Sequence, residues 1–222
     1  FNALASMANA AAFGANAHAL GEYSVAVGAE SIAAGEMSAA FGAAAQANGD
    51  GSLASGSLAE ANGLESSAVG FYATANGDGA SAFGAEALAE GQTATAVGFQ
   101  SVAGADYATA VGGWAEALAA NSTAVGNSAI AFASNSAAIG ADAWAMGDSS
   151  TALGQGSTAE GMATTALGQG AEAVGDYATA VGKSALADGV SSVAMGEYSE
   201  ALGAESVAIG GTAYGMINGR AA

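Results

Sequence analysis

The sequence predicts an all-β fold, a parallel β-roll (β-solenoid) wound in coils of 14 residues. Three observations predict it. Gly stands at every multiple of 14 from Gly14 to Gly210, fifteen times without a gap. Small and variable residues alternate between these glycines with a period of two, the period of a strand. Finally, 66 Ala and 35 Gly fill 101 of the 222 positions, so any interior has to be built from the smallest side chains. A fixed repeat of this kind is the signature of stacked structural units.

Each element follows from the repeat. We number positions 1–14 within a coil that ends on the fixed Gly, so coil 1 is residues 1–14 and coil 15 is residues 197–210. Position 3 is Ala or Ser from Ala3 to Ser199, and position 5 is Ala from Ala5 to Ala201. Position 7 carries a second Gly set, from Gly21 to Gly91 and from Gly147 to Gly203, with Ala105, Ala119 and Ala133 between. Thus 26 of the 35 Gly lie on one seven-residue lattice. Position 10 is Ala, Ser or Thr, and position 12 is Ala from Ala12 to Ala208. A coil reads strand, turn, strand, turn.

The sharp corners call for positive φ, which Gly tolerates. Where the second Gly is missing, Asn121 and Asn135 lie two residues on and predict a shifted corner, Asn being the next best residue for that conformation. Strands of about five residues span roughly 17 Å. Coils stacked at about 4.8 Å give a rod of roughly 70 Å. Positions 3, 5, 10 and 12 face a narrow slot between two sheets. Backbone ladders and close Ala packing there replace a bulky core.

Composition removes several classes. Aromatics are 7% and charged residues 10%, too few for an ordinary packed α/β domain. Collagen needs Gly every third residue and abundant Pro, and there is no Pro. A flexible linker needs no lattice. The net charge is −18, with Lys183 and Arg220 the only Lys and Arg. Nucleic acid is excluded as a partner, because cations must replace phosphate counterions. Anionic membrane surfaces are disfavoured likewise. Cys is absent, so neither disulfide nor thiolate site exists. No apolar run reaches 18 residues, so this fragment does not insert in a membrane as a helix. No signal peptide is visible, and Phe1 suggests an excised fragment.

The outward positions predict self-association. Position 13 reads Phe13, Val27, Phe41, Ser55, Val69, Phe83, Val97, Val111, Val125, Ile139, Leu153, Leu167, Val181, Met195 and Ile209, apolar in all but Ser55. Position 11 is Thr, Val, Ala, Ser or Leu. The other strand's outward positions mix Glu60, Glu90, Glu116, Glu160, Glu172, Asp188 and Glu200 with Leu, Asn, His and Trp. One flank is therefore an apolar stripe and the other is wet. Fourteen apolar side chains at ~1.5–3 kcal/mol each give an upper bound of ~20–40 kcal/mol. The association cost of ~4–15 kcal/mol cannot cancel that. The stripe packs against copies of itself; periodicity does not choose between two and three.

Asn121-Ser-Thr-Ala-Val-Gly126, Asn135-Ser-Ala-Ala-Ile-Gly140, Ser206-Val-Ala-Ile-Gly210 and Ser24-Val-Ala-Val-Gly28 resemble the repeat of YadA-like heads of trimeric autotransporter adhesins. The resemblance covers all fifteen coils, residues 1–210. It implies a left-handed parallel β-roll, a homotrimer around one axis, and display on the bacterial surface. It also implies attachment to host cells or to matrix proteins such as collagen and fibronectin. The stripe would then be the trimer interface. Anchoring in the outer membrane would come from a stalk and barrel outside this fragment. Residues 211–222 lose the pattern, with Gly215 in place of Ala and Met216-Ile217 following, and mark a possible start of a neck.

The remaining candidates carry less. His18 is the only His and lacks companions for a metal site. One His among many Ser builds no catalytic triad, and acids along a wet flank serve solubility, so neither an enzyme nor a cofactor is expected. Asn48-Gly-Asp-Gly51 and Asn76-Gly-Asp-Gly79 are equivalent corners reminiscent of calcium loops, but those repeat every nine residues. Trp114, Trp144, Tyr23, Tyr107, Tyr177 and Tyr198 are outward anchors for a ligand or covers between subunits. Thr95, Thr109, Thr123, Thr151, Thr165 and Thr179 form a position-11 ladder of the sort that ice-binding solenoids use, the alternative reading, together with that of a structural spacer. Residues 106–112 and 176–182 both read Asp-Tyr-Ala-Thr-Ala-Val-Gly, as duplication would leave them.

Overall fold

Alternation between small and variable residues makes the backbone strand-like for only part of each coil. A computed structural model describes residues 2–211. Every coil contributes a two-residue strand at positions 4–5, from Leu4–Ala5 to Glu200–Ala201. It contributes a three-residue strand at positions 11–13, from Ala11–Phe13 to Val207–Ile209. The first strands form one fifteen-stranded parallel sheet and the second strands form another. The register is one whole coil throughout, as in Leu4↔His18 and Ala68↔Ala82. Among the described residues there is no helix.

These strands are shorter than the five residues expected from the repeat. The corners take the difference, because each spends a bend and a two-residue turn between strands. The interior is as expected. Position 12 is fully buried from Ala26 to Ala194, and position 5 from Ala19 to Ala187. The largest fully buried side chain is Thr164. Inner hydroxyls bond back to their own turn: Ser24 Oγ donates to the Gly21 carbonyl at 2.7 Å, and Thr164 Oγ1 to that of Gly161 at 2.8 Å. Ser52, Ser66 and Ser150 instead bury Oγ with no protein partner.

Both glycine sets face close backbone from the next coil, but only one of them also needs a special φ. At position 14, φ runs from +124° to +144°, a region closed to L-residues. At position 7 no positive φ occurs, yet a Cβ on Gly21 would lie 1.9 Å from the Gly35 carbonyl oxygen. At Gly21 a side chain is excluded because successive coils nearly touch, although coils 8–10 hold Ala105, Ala119 and Ala133 at this position.

The left-handed residue is two positions later, at positions 2 and 9. Twenty-five non-Gly residues hold φ of 51–61° there. That conformation costs an L-residue about 1–2 kcal/mol. The corner ladder offsets it: Tyr23 N donates to Ala8 O at 3.0 Å, and Glu30 N to Ala15 O at 2.8 Å. The expected shift at Asn121 and Asn135 is therefore corrected. Both have φ 58° at the regular position 9, in line with Tyr23 and Tyr107.

Candidate functional site

The slot fixes where every outward side chain points. With position 12 inward, positions 11 and 13 project from the second sheet. Position 13 runs in unbroken register through Val111, Val125, Ile139, Leu153, Leu167 and Val181. Ser55 sits between Phe41 and Val69 as the single polar rung. The stripe is open to solvent in the single chain: Phe41 is 42% exposed, Leu153 41% and Met195 44%. Position 11 beside it is half-buried, with Thr95, Thr109 and Thr123 in register and Ala137 breaking the ladder before Thr151. The sequence-derived stripe thus runs in register from coil to coil, with Ser55 as its one polar rung.

Positions 4 and 6 project from the first sheet. His18 stands half-buried between Leu4 and Ile32. The carboxylates Glu60, Glu116, Glu172 and Glu200 recur at position 4, and Glu90, Glu160 and Asp188 at position 6. Among the described residues no three His, Asp or Glu side chains gather as metal ligands do. The Asn-Gly-Asp-Gly corners have another use for their acids. Asp50 Oδ1 accepts the Glu36 N–H at 2.8 Å, and Asp78 Oδ1 accepts that of Leu64 at 2.9 Å. Asp106, Asp148 and Asp176 repeat the bond to Gln92, Ser134 and Met162. Each position-8 Asp caps an amide of the preceding coil, and Asn48, Asn62 and Asn76 link into an amide ladder at 2.7–2.8 Å.

Besides Phe13, Phe41 and Phe83 on the stripe and Phe132 and Trp144 on the first-strand face, the aromatics described stand at the two corners. Tyr23, Tyr107 and Tyr177 occupy position 9 and are about half exposed. The opposite corner holds a cluster that periodicity alone did not single out. Phe71 meets Tyr72 edge-on with centroids 4.6 Å apart, and Phe99 meets Trp114 at 5.3 Å. Trp114 Nε1 donates to Gln100 Oε1 at 2.6 Å, and Gln100 Nε2 donates to Glu86 Oε2 at 2.6 Å. The signal was available: all these residues sit at positions 1 and 2, one corner of the coil. Farther along, Lys183 pairs with Glu197 at 3.6 Å and lies 5.7 Å over the Tyr198 ring.

This geometry is a repeat met in known proteins. The YadA head domain repeat (two copies per match) fits residues 5–31, 33–59, 61–87, 89–113, 117–143, 145–171, 161–185 and 187–213. The first six matches start 28 residues apart, two coils each, and together the eight cover nearly the whole chain. The chain belongs to the YadA head repeat family. No curated protein matches it significantly. Among solved structures, the collagen-binding domain of the Yersinia adhesin YadA is 20% identical over 94% of this chain and 74% of its own length, with a TM-score of 0.23. The assignment to YadA-like heads rests on the repeat match and on the coil register described above.

Proposed function

We propose that the chain is a non-catalytic adhesin head, a multivalent rod that attaches a bacterium to host cells or matrix proteins. Residues 1–210 are the head. The uncovered position-13 stripe, in register through fifteen coils of a YadA head repeat, is the observation that carries this reading. Three chains closing around that stripe remove it from water and leave the first-strand face and the corners outward. Repeated coils in three copies then turn weak contacts into avidity. The rod stands on the outer membrane through parts outside this chain. The neck expected from residue 211 onward falls, Gly211 apart, outside the described residues.

Two measurements test the proposal. Sedimentation at micromolar concentration gives three times 20.7 kDa, and a stable monomer refutes the stripe argument. A plate assay against immobilised matrix proteins separates adhesin from spacer: attachment above an albumin control is expected, and its absence on every matrix protein favours the spacer.

A further inference from the structure

One stretch of the first-strand face departs from the rest. Elsewhere a large apolar residue at position 4 has a charged or small neighbour at position 6 of its strand, as with Leu88 and Glu90, Val102 and Gly104, or Leu186 and Asp188. Coils 10 and 11 break this habit, and Leu118 of coil 9 adjoins them. Leu118, then Ile130 and Phe132, then Trp144 and Met146 stand on three successive strands. Ile130 and Trp144 are ladder partners. Phe132 N donates to Ala145 O at 2.9 Å, which stacks the position-6 side chains in step. Phe132 is 61% exposed, Trp144 45% and Met146 43%. With about 200 Å² for a whole aromatic side chain, Phe132 and Trp144 alone leave on the order of 200 Å² in water. The five together reach the ~300–600 Å² at which a surface patch is often functional.

Acids frame this island. Glu116 is the direct ladder partner of Ile130, and beyond Trp144 come Thr158 and Glu172. Glu160 follows Met146 at position 6, and Glu90 lies two coils before Leu118. The one Lys or Arg among the described residues, Lys183, sits at another corner in coil 14. The island also borders the three coils whose position 7 is Ala105, Ala119 or Ala133. There position 7 carries a methyl group, where Gly fills the same position in most other coils.

We propose that this island is a discrete docking site for a basic amphipathic protein segment, aliphatic or aromatic on one face and flanked by Lys or Arg. The choice of occupant follows from charge. A second copy of this chain would set carboxylates against carboxylates at −18 each. The position-13 stripe has no such acidic frame on its strand, only small or apolar residues at position 11, and so suits self-association where the island does not. Apolar contact then supplies affinity, and the carboxylates select against acidic partners.

The proposal rests on the adhesin reading only in taking the segment to come from a host protein. Its test measures the island directly, so it and the matrix plate assay can fail separately. The probe is a labelled heptapeptide alternating Lys with Leu and Phe, titrated by anisotropy at physiological salt against the full chain. A Lys-Ser peptide of equal charge is the control. The parent binds the first peptide and not the second. Phe132→Ser/Trp144→Ser weakens binding by about tenfold or more. Melting and sedimentation stay unchanged, and Leu88→Ser/Leu186→Ser on the same face binds as the parent does. Equal binding of both peptides, undiminished binding by the island variant, or a change in its oligomeric state overturns the proposal. Should the double variant fail to fold, Trp114→Phe leaves Trp144 as the only indole. The peptide must then shift its emission to the blue, and an unmoved spectrum overturns the proposal equally.

Discussion

Gly126 and Gly156 are both glycines at corners, yet the structure predicts opposite outcomes for replacing them. Gly126 has φ +139°, and a Cβ there would stand 2.4 Å from the Gly140 carbonyl oxygen and 2.6 Å from its carbon. Neither atom belongs to a flexible side chain, so Gly126→Ala has to push coils 9 and 10 apart. The forced backbone costs about 1–3 kcal/mol. The flanking ladder bonds, Gly126 N to Val111 O and Gly140 N to Val125 O, are both 2.8 Å and weaken together. At about 1 kcal/mol each, they bring the total to roughly 3–5 kcal/mol. Gly156 has φ +63° with nothing within 4 Å of a Cβ, and it holds the position at which Asn16 and Ser128 sit without difficulty. Gly156→Asn therefore stays within about 1 kcal/mol of the parent, since lost unfolded-state freedom offsets the left-handed strain. Thermal melting by circular dichroism reads both. For a chain of this size, Gly126→Ala lowers the melting temperature by about 10 °C and Gly156→Asn by no more than a few degrees. Equal melting of the two variants, or a Gly126→Ala protein indistinguishable from the parent, refutes the account of coil spacing.

Three further outcomes follow from the slot and the stripe. Val125→Asp places an unpaired charge at the proposed trimer contact and should yield monomer or unfolded chain in sedimentation; an intact trimer argues that position 13 faces water. Ala124→Leu overpacks a fully buried position and should cost ~1–3 kcal/mol in urea denaturation. Ser24→Ala removes the 2.7 Å bond to Gly21 and should cost about 1 kcal/mol, whereas Ser52→Ala, whose Oγ is buried without a protein partner, should be neutral or stabilising in the same titration.

Much of the architecture was legible because the slot tolerates so little. Ala at every position 12 and Ala or Ser at every position 3 leave one way to fold each coil. The same narrowness made position 13 readable as a line. Strand length was not legible, because alternation continues through Ala10 or Ser6 although the backbone there has already entered a corner. The separate duties of Gly21 and Gly28 were hidden as well. Both answer a close approach between coils, but only Gly28 also answers a dihedral angle, and the letter in the sequence is the same. Tyr23, Glu30 and Trp114 share one backbone conformation despite unlike side chains, since bonds from the neighbouring coil impose it. Trp114 stood out as an outward aromatic, but its grouping with Phe71, Tyr72 and Phe99 was not legible, because aromatics fill positions 1 and 2 in only a few coils.

Each strand touches only its own coil and the coils immediately before and after it. Removing or adding 14 residues therefore leaves every surviving neighbour relation intact, and the rod grows or shrinks in steps of about 4.8 Å. Near-copies such as residues 106–112 and 176–182 are where unequal recombination would align. Rod length becomes a heritable dimension, adjustable between generations without inventing a new fold.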